Sequence, residues 1–388
     1  MGRLKLMTIL GTRPEIIRLS SVIRCCDQYF EQILVHTGQH YDYELNQVLF
    51  QDLSLRAPDY CLDVVGEHLG ATIGNIIEKS YRMMEEVRPD AVLVLGDTNS
   101  CLSVIAAKRL HIPIFHMEAG KRCFDECSPE ECNRRIVDVI SDVNLCSSEH
   151  ERRYLHMTGV PKDRTFVVGS PMTEVLYENL EEIQESDVLD CLGLKKRQYI
   201  LVSAHREENI DIQENFQSLM EAVNAIARNY DMPVLYSCHP RSRKLIEQRK
   251  FEFDPRVILH NPFGFHDYNH LQMKAFAVVS DSGTLPEEAS FYLSLGHPFP
   301  AVCIRTSTER PEAMETGNFI LAGITEKEIL QAIDTAVLLN ENKEVGMPMW
   351  EYMEENVSNK VVRIIQSYTS IVDRMVWKMH PHNQGKRE

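Results

Sequence analysis

Carboxylates, basic residues and a histidine gather at a few points of this 388-residue chain, each directly after an apolar run. The densest point spans residues 116–135: His-Met-Glu-Ala-Gly-Lys-Arg-Cys-Phe-Asp-Glu-Cys-Ser-Pro-Glu-Glu-Cys-Asn-Arg-Arg. Glu118 follows the strand-like run 112–115. Asp97 follows the run 91–95, in Gly96-Asp97-Thr98-Asn99. Neighbouring parallel strand ends would bring these two carboxylates together, and close carboxylates separate into one base and one acid. The same residues also read as two solvated loop carboxylates. Ser128-Pro129-Glu130-Glu131 has the form of a helix start, with serine as N-cap, proline at the first helical position and Glu131 as capping-box partner. That leaves Glu130 to face a ligand, unless it pairs with Arg134 one turn on. Cys132, Ile136, Val139 and Ile140 read as the buried stripe of this helix. General acid/base transfer is the chemistry such a set can do.

A second set suits an anion. Asp281-Ser282-Gly283-Thr284 leads into Leu285-Pro286-Glu287-Glu288, with Thr284 as N-cap and Glu287 as its partner. A helix N-terminus preceded by small residues offers N–H groups to a phosphate. An ordinary capped helix would read the same way, but Arg310, just after a strand-like run, adds a cation suited to a diphosphate. Glu288 lies beyond the cap and could accept hydrogen bonds from ribose hydroxyls. Arg13 sits in the turn Gly11-Thr12-Arg13-Pro14-Glu15, and Arg18 lies one turn into the helix that follows. His205, in Ser203-Ala204-His205-Arg206, holds the matching position in the second half. It could bind phosphate as a cation or move a proton near neutral pH. Cys123, Cys127 and Cys132 have spacing that zinc disfavours, so no metal site is expected.

The elements that must position these residues alternate. Strand-like runs at 6–10, 32–36, 91–95, 112–115, 143–146, 165–168, 199–203, 234–237, 257–259, 277–280 and 301–304 are separated by helical patterns such as 71–87 and 213–228. That alternation predicts an α/β protein with parallel sheets covered by helices. A break at Gly169-Ser170-Pro171 divides the chain into an N-terminal Rossmann-like domain, 1–170, and a C-terminal Rossmann-like domain, 171–359. A last helix at about 360–379, with Ile364, Ile365, Tyr368, Ile371 and Val372 on one side, is expected to pack back on the first domain, leaving 380–388 as a tail. Two such domains facing across a cleft would bring the polar turns together.

With 44% hydrophobic residues the chain can build two ordinary cores. Its net charge of −16 argues against a nucleic-acid binder or an anionic membrane surface as partner. No run approaches the ~20 apolar residues of a membrane span, no signal peptide is visible, and the 11 scattered cysteines suit reduced thiols in a cytoplasmic protein. No G-x-G-x-x-G follows a strand and no Walker A loop is present, so neither NAD nor ATP chemistry is expected.

The motifs Gly11-Thr12-Arg13-Pro14-Glu15, Gly96-Asp97-Thr98, His116-Met117-Glu118-Ala119-Gly120, Pro129-Glu130-Glu131-Cys132-Asn133-Arg134, Asp281-Ser282-Gly283 and Thr308-Glu309-Arg310-Pro311-Glu312 occur in this order over nearly the whole chain. Together they resemble the non-hydrolysing UDP-N-acetylglucosamine 2-epimerases. The resemblance implies a GT-B-like pair of domains with UDP in the cleft, a homodimer and no cofactor. It implies anti elimination of UDP across C1–C2 to a 2-acetamidoglycal, followed by re-addition. It carries acid/base roles to Asp97, Glu118, Glu130 and His205. UDP binding falls to Arg13, Arg18, His205, Ser282, Gly283, Thr284, Glu288 and Arg310, with Tyr268 where a phenylalanine stacks on uracil in relatives.

The chain departs from the family pattern at Arg18, where lysine is common, at Glu207, where a second arginine follows the histidine, and at Thr284, where a second glycine is usual. With Gly38-Gln39-His40-Tyr41-Asp42-Tyr43-Glu44-Leu45-Asn46-Gln47 and Arg122-Cys123-Phe124-Asp125, these look like the subgroup that converts UDP-2-acetamido-2,6-dideoxy-β-L-talose to UDP-N-acetyl-L-fucosamine for bacterial capsule, O-antigen or lipopolysaccharide synthesis. The alternatives are UDP-N-acetylglucosamine 2-epimerisation to the mannosamine epimer, a GT-B glycosyltransferase, which would need an acceptor pocket, and a UDP-sugar sensor indifferent to Glu118 and Glu130. Lys121 through Phe124 carry no assigned role beyond a suspected part in choosing the sugar.

Overall fold

A computed structural model describes residues 2–39, 43–126, 128–305 and 307–379, with 43–47 described by their backbone alone. Within that range the chain forms two compact units, Met1–Val175 with Glu354–Glu388, and Leu176–Met353. The chain leaves the first unit inside the helix Pro171–Glu178 and returns to it just before the helix Val357–Met375. The tail at 380–388, Cys127 and residues 40–42 of the subgroup motif lie outside the described residues.

The first unit holds seven parallel strands: β1 Lys5–Leu10, β2 Glu31–His36, β3 Tyr60–Cys61, β4 Ala91–Leu95, β5 Ile114–Met117, β6 Val143–Cys146 and β7 Thr165–Val167. Their order is β3-β2-β1-β4-β5-β6-β7. The second unit holds β8 Ile200–Ser203, β9 Val234–Ser237, β10 Val257–His260, β11 Ala277–Ser280, β12 Ala301–Ile304 and β13 Ile320–Ala322. Their order, β10-β9-β8-β11-β12-β13, repeats the same plan. In each sheet the chain winds one way from a central strand, then returns beside it and winds the other way. The crevice beyond the carboxyl ends of those two central strands is where open α/β sheets take ligands. It lies at β1 and β4 in one unit and at β8 and β11 in the other.

Helices cover both faces of such sheets, so the inner strands are buried on both sides and read as unbroken apolar runs. Every residue of β4, β9, β11 and β12 is buried. Ile76, Met84, Val92, Val94 and Val104 anchor one core. Phe216, Val223, Val202, Val279 and Ile333 anchor the other. The helix Val357–Met375 buries Val361, Ile365, Thr369 and Val372, spaced three and four apart, and lies against the helix Arg13–Tyr29. Tyr368 closes the packing at its edge, donating its hydroxyl to the Asp163 carbonyl at 2.9 Å and meeting Phe166 edge-on. Among the described residues no helix is long and apolar enough to cross a membrane.

Two details differ from the sequence expectation. The run predicted at 112–115 is a strand at Ile114–Met117, because the polar His116 is satisfied inside the sheet, its Nε2 lying 2.8 Å from the Gly96 carbonyl oxygen. The helix Pro129–Ile140 does not bury the predicted stripe. Cys132 and Val139 are exposed, Ile136 and Ile140 are half-buried, and the buried positions are Glu131, Asn133, Arg134, Val137 and Asp138. Its polar face is the inner one because that face meets the charged loops beyond β4 and β5.

Candidate active site

In the first unit the turn after β1 is fixed by a buried carboxylate. Glu15, in the first turn of the helix Arg13–Tyr29, accepts from the Gly11 N–H at 2.9 Å and the Thr12 hydroxyl at 2.8 Å. It also accepts from the Ser100 hydroxyl in the turn after β4. Burial raises the Glu15 carboxyl above the usual range, against the opposing pull of these donors. The latch joins the two loops of the switch point, so Arg13, half-buried at the helix start, and Asp97 are set by one network.

β4 and β5 are paired, which brings Asp97 and Glu118 to neighbouring strand ends. A Cβ on Gly96 would stand 3.6 Å from Oε2 of Glu118. Each of the two carboxylates is paired with its own cations. Asp97 accepts from Arg134, with Nε 2.8 Å and Nη2 2.7 Å from the same carboxylate oxygen, and its carbonyl accepts from Asn133 at 2.9 Å. Glu118 is engaged by the Arg18 guanidinium and lies 3.1 Å from Lys121 Nζ. Glu118 holds a left-handed backbone, φ 59°, a conformation that non-glycine residues adopt mainly where the surroundings enforce it. Two residues on, Gly120 has φ 88°, and a Cβ there would meet the Glu151 carbonyl oxygen at 2.5 Å. Behind the loop, Asp138 accepts from the Gly120 N–H at 3.1 Å, pairs with Arg122 at 2.6 Å and lies 3.1 Å from His116 Nδ1.

The helix start after this loop corrects the capping prediction. Ser128 takes the N-cap position but its side chain caps nothing, and its hydroxyl donates to Glu130 at 2.8 Å. Glu131 accepts from the Cys123 N–H at 3.1 Å and pairs with Arg134 and Arg135, each at 3.2 Å. Charge-assisted bonds to arginine are stronger than a bond to one N–H, and they decide where the carboxylate points. Glu130 is half-buried beside this network.

In the second unit the loops after β8 and β11 meet through Asp281. One carboxylate oxygen accepts from the N–H groups of His205 and Arg206, each at 2.9 Å, and from Asn209 at 3.1 Å. The other lies 3.1 Å from His205 Nδ1. Burial alone would raise the Asp281 carboxyl, but the imidazole and these donors hold it down at about 2. Burial of the inner ring edge disfavours imidazolium, and the Asp281 charge outweighs it, so His205 is raised. The imidazole side chain is 43% exposed, which leaves its outer nitrogen available to a ligand while Asp281 orients the ring.

Ser282 and Thr284 share a hydroxyl contact of 2.9 Å at the start of the helix Leu285–Ser294. Thr284 donates to Glu288 at 2.7 Å rather than capping the helix, and Gln272 donates to the other Glu288 oxygen at 2.7 Å. Burial raises the Glu288 carboxyl. Glu287, expected as the capping-box partner, instead accepts from Arg310 Nε at 2.8 Å and from Nη2. Arg310 so held brings Nη1 to 3.3 Å from where a Gly283 Cβ would stand, with Arg305 Nη1 at 3.9 Å. Arg305 is anchored on Glu309 and Arg206 lies 3.5 Å from the same glutamate. The turn Ser282–Thr284 is therefore lined by guanidinium groups, His205 and a helix N-terminus, the composition of a diphosphate site. The Tyr268 ring is half-buried, and burial raises its hydroxyl.

The predicted residues fall in two groups, Arg13, Arg18, Asp97, Glu118 and Glu130 in the first unit and His205, Tyr268, Ser282, Gly283, Thr284, Glu288 and Arg310 in the second, with Arg18 and Glu118 in direct contact. Sequence reasoning missed Glu15, Lys121, Arg134 and Asp138 in the first, and Arg206, Arg305 and the positioning Asp281 in the second. Asp281 carried a signal, since it ends a buried strand just as Asp97 and Glu118 do. Of the others, Arg134 and Arg206 meet partners far away in the chain, Asp97 and Glu309.

The chain and its fold are similar to known proteins. The family model described as UDP-N-acetylglucosamine 2-epimerase matches residues 25–366. A Methanococcus maripaludis protein named UDP-N-acetylglucosamine 2-epimerase homolog is 33% identical over 372 residues, covering 94% of this chain and 100% of that one. The solved structure of UDP-N-acetylglucosamine 2-epimerase from Rickettsia bellii is 44% identical with a TM-score of 0.89, over 97% of this chain and 100% of the other. That of the Methanocaldococcus jannaschii enzyme in complex with UDP-GlcNAc and UDP is 30% identical with a TM-score of 0.86, over 94% and 99%. A match over most of the chain, on two GT-B-like parallel-sheet units, establishes that this protein belongs to the UDP-N-acetylglucosamine 2-epimerase family, isomerases that act at C2 of UDP-sugars.

Proposed function

We propose that the protein epimerises C2 of UDP-2-acetamido-2,6-dideoxy-β-L-talose to give UDP-N-acetyl-β-L-fucosamine, for bacterial capsule or O-antigen synthesis, as a cytoplasmic homodimer. The second unit binds UDP through Arg310, His205, Ser282, Gly283 and Thr284, with Glu288 taking the ribose hydroxyls and Tyr268 the uracil. Arg13 and Arg18 add positive charge in the first unit. A carboxylate among Asp97, Glu118 and Glu130 takes the C2 proton while the C1–O bond breaks and its electron pair leaves on the UDP β-phosphate. The C1=C2 bond of the 2-acetamidoglycal forms. UDP then adds back at C1, and a carboxylic acid returns a proton to the opposite face of C2. The C2 proton is weakly acidic, so stabilising the departing diphosphate is the larger task, and preorganised cations perform it.

What supports the choice of sugar is general similarity to the L-fucosamine subgroup, in the segments 38–47 and Arg122–Asp125 and at Arg18, Glu207 and Thr284. The names of the relatives favour a second reading, UDP-N-acetylglucosamine to its mannosamine epimer. Comparing kcat/KM for the two UDP-sugars, with products identified by NMR, separates them. A preference of about tenfold or more for the 6-deoxy-L-sugar is expected. Turnover of UDP-N-acetylglucosamine alone would refute the choice.

A further inference from the structure

Lys121 belongs to none of the family-wide motifs, yet its side chain is 4% exposed. A lysine is rarely buried so far without an anion to meet. Its Nζ lies 3.1 Å from Oε2 of Glu118, the oxygen that the Arg18 guanidinium also engages, and the Glu118 side chain is itself 1% exposed. Two cations from two elements therefore converge on one buried carboxylate. Arg18 comes from the helix Arg13–Tyr29, and Lys121 from the loop after β5. Gly120 returns the chain so that Lys121, three residues past Glu118, reaches back to it. The other titratable groups nearby are Asp97, on the far side of Gly96 and tied to Arg134, and the Cys101 thiol, which burial keeps protonated. Neither stabilises an ionised Glu118.

We propose that Lys121 is a positioning residue that holds Glu118 ionised and in place as the proton acceptor at C2 of the sugar. Burial of a carboxylate favours the neutral acid, and an opposite charge within about 4–6 Å favours the ionised form, so a second cation on the same oxygen adds to what Arg18 supplies. The inference rests on the family's C2 chemistry and on Glu118 acting in it, but its test does not depend on turnover.

The experiment is a titration of Glu118 by 13C NMR in protein labelled at glutamate Cδ, with the resonance assigned through Glu118→Gln. The Glu118 midpoint is expected to rise by about one unit or more in Lys121→Met and in Lys121→Gln, and to stay close to wild type in Lys121→Arg. The acid limb of kcat/KM should move with it, an activity loss of about tenfold one unit below the new midpoint. An unmoved midpoint in the neutral variants would overturn the proposal, as would an equal shift in Lys121→Arg, which would point to packing instead of charge. If the wild-type enzyme exchanges no C2 proton, the reaction assignment fails while the titration still decides the role of Lys121.

Discussion

Asp281→Asn is the most informative single substitution in the second unit. The aspartate is fully buried, and its carboxyl falls from 3.8 to about 2 on folding. A shift of that size amounts to about 2 kcal/mol of folding stability shared by the whole His205–Asp281 network, counted once. Asparagine keeps one oxygen for the N–H groups of His205 and Arg206 but presents an amide to Nδ1, which reverses the imidazole tautomer. The sign with pH follows from both partners. The depressed Asp281 stabilises the fold above about pH 3.8, and that contribution is lost as pH falls toward 2. The raised His205 contributes fully below its unfolded value of 6.5, and that contribution is lost as pH rises through its folded value. The deficit of the variant should therefore be largest between about pH 4 and 6.5 and shrink as pH rises through the folded value of His205. Urea unfolding across a pH series from about 5.5 upward measures it. A loss of about 2 kcal/mol corresponds to roughly 4–8 °C in melting temperature for a unit of this size. UDP affinity should also fall about tenfold as the imidazolium is lost. A deficit that stays constant through the His205 titration, followed by NMR in the wild-type protein, or none at about pH 5.5, would refute the charge-pair reasoning.

Other substitutions separate roles that share a motif. Glu130→Gln should abolish turnover with UDP binding and melting temperature kept, whereas Glu131→Gln should destabilise by about 1–3 kcal/mol because it removes the buried carboxylate that accepts from the Cys123 N–H and pairs with Arg134 and Arg135, which keep only Asp97 and Glu126; calorimetry and C2 exchange distinguish them, and a stable Glu131→Gln would contradict the pairing. Arg310→Lys loses the fork that grips Glu287, so UDP should bind at least about tenfold more weakly, as read by titration calorimetry. Gly120→Ala forces a Cβ against the Glu151 carbonyl at a left-handed φ and should cost several kcal/mol, on the order of 3, in urea unfolding; a near-neutral result would mean that the loop bearing Glu118 has an alternative backbone.

Much of the architecture was legible for a physical reason. Inner strands of parallel sheets are buried on both faces, so the runs at 91–95, 234–237, 277–280 and 301–304 read as apolar and are strands over the same residues. The edge strands Tyr60–Cys61 and Ile320–Ala322 are too short to show a period. His116 hid the end of β5, since its polarity is satisfied only by Gly96 and Asp138, each about 20 residues away in sequence. The two capping boxes failed together. Glu131 and Glu287 stand at the right spacing for a cap, but Arg134 and Arg310 offer charged donors that the local pattern does not weigh. The stripe of the helix Pro129–Ile140 was misread for a related reason, because the site lies on its inner side and polar residues there have partners. Identity of the candidate residues was readable from strand ends; which cation holds which carboxylate was not.

Carboxylates of the first unit, Glu118 after β5 and Glu130 at the start of the helix Pro129–Ile140, are proposed to move the proton at C2 of a UDP-sugar. Incubation in D2O with UDP-2-acetamido-2,6-dideoxy-β-L-talose and, separately, UDP-N-acetylglucosamine, followed by NMR at C2, tests it most directly. The account predicts deuterium at C2 of recovered sugar in the wild-type enzyme and none in Glu118→Gln or Glu130→Gln. Epimerisation without C2 deuterium, or full exchange in both carboxylate variants, would contradict it.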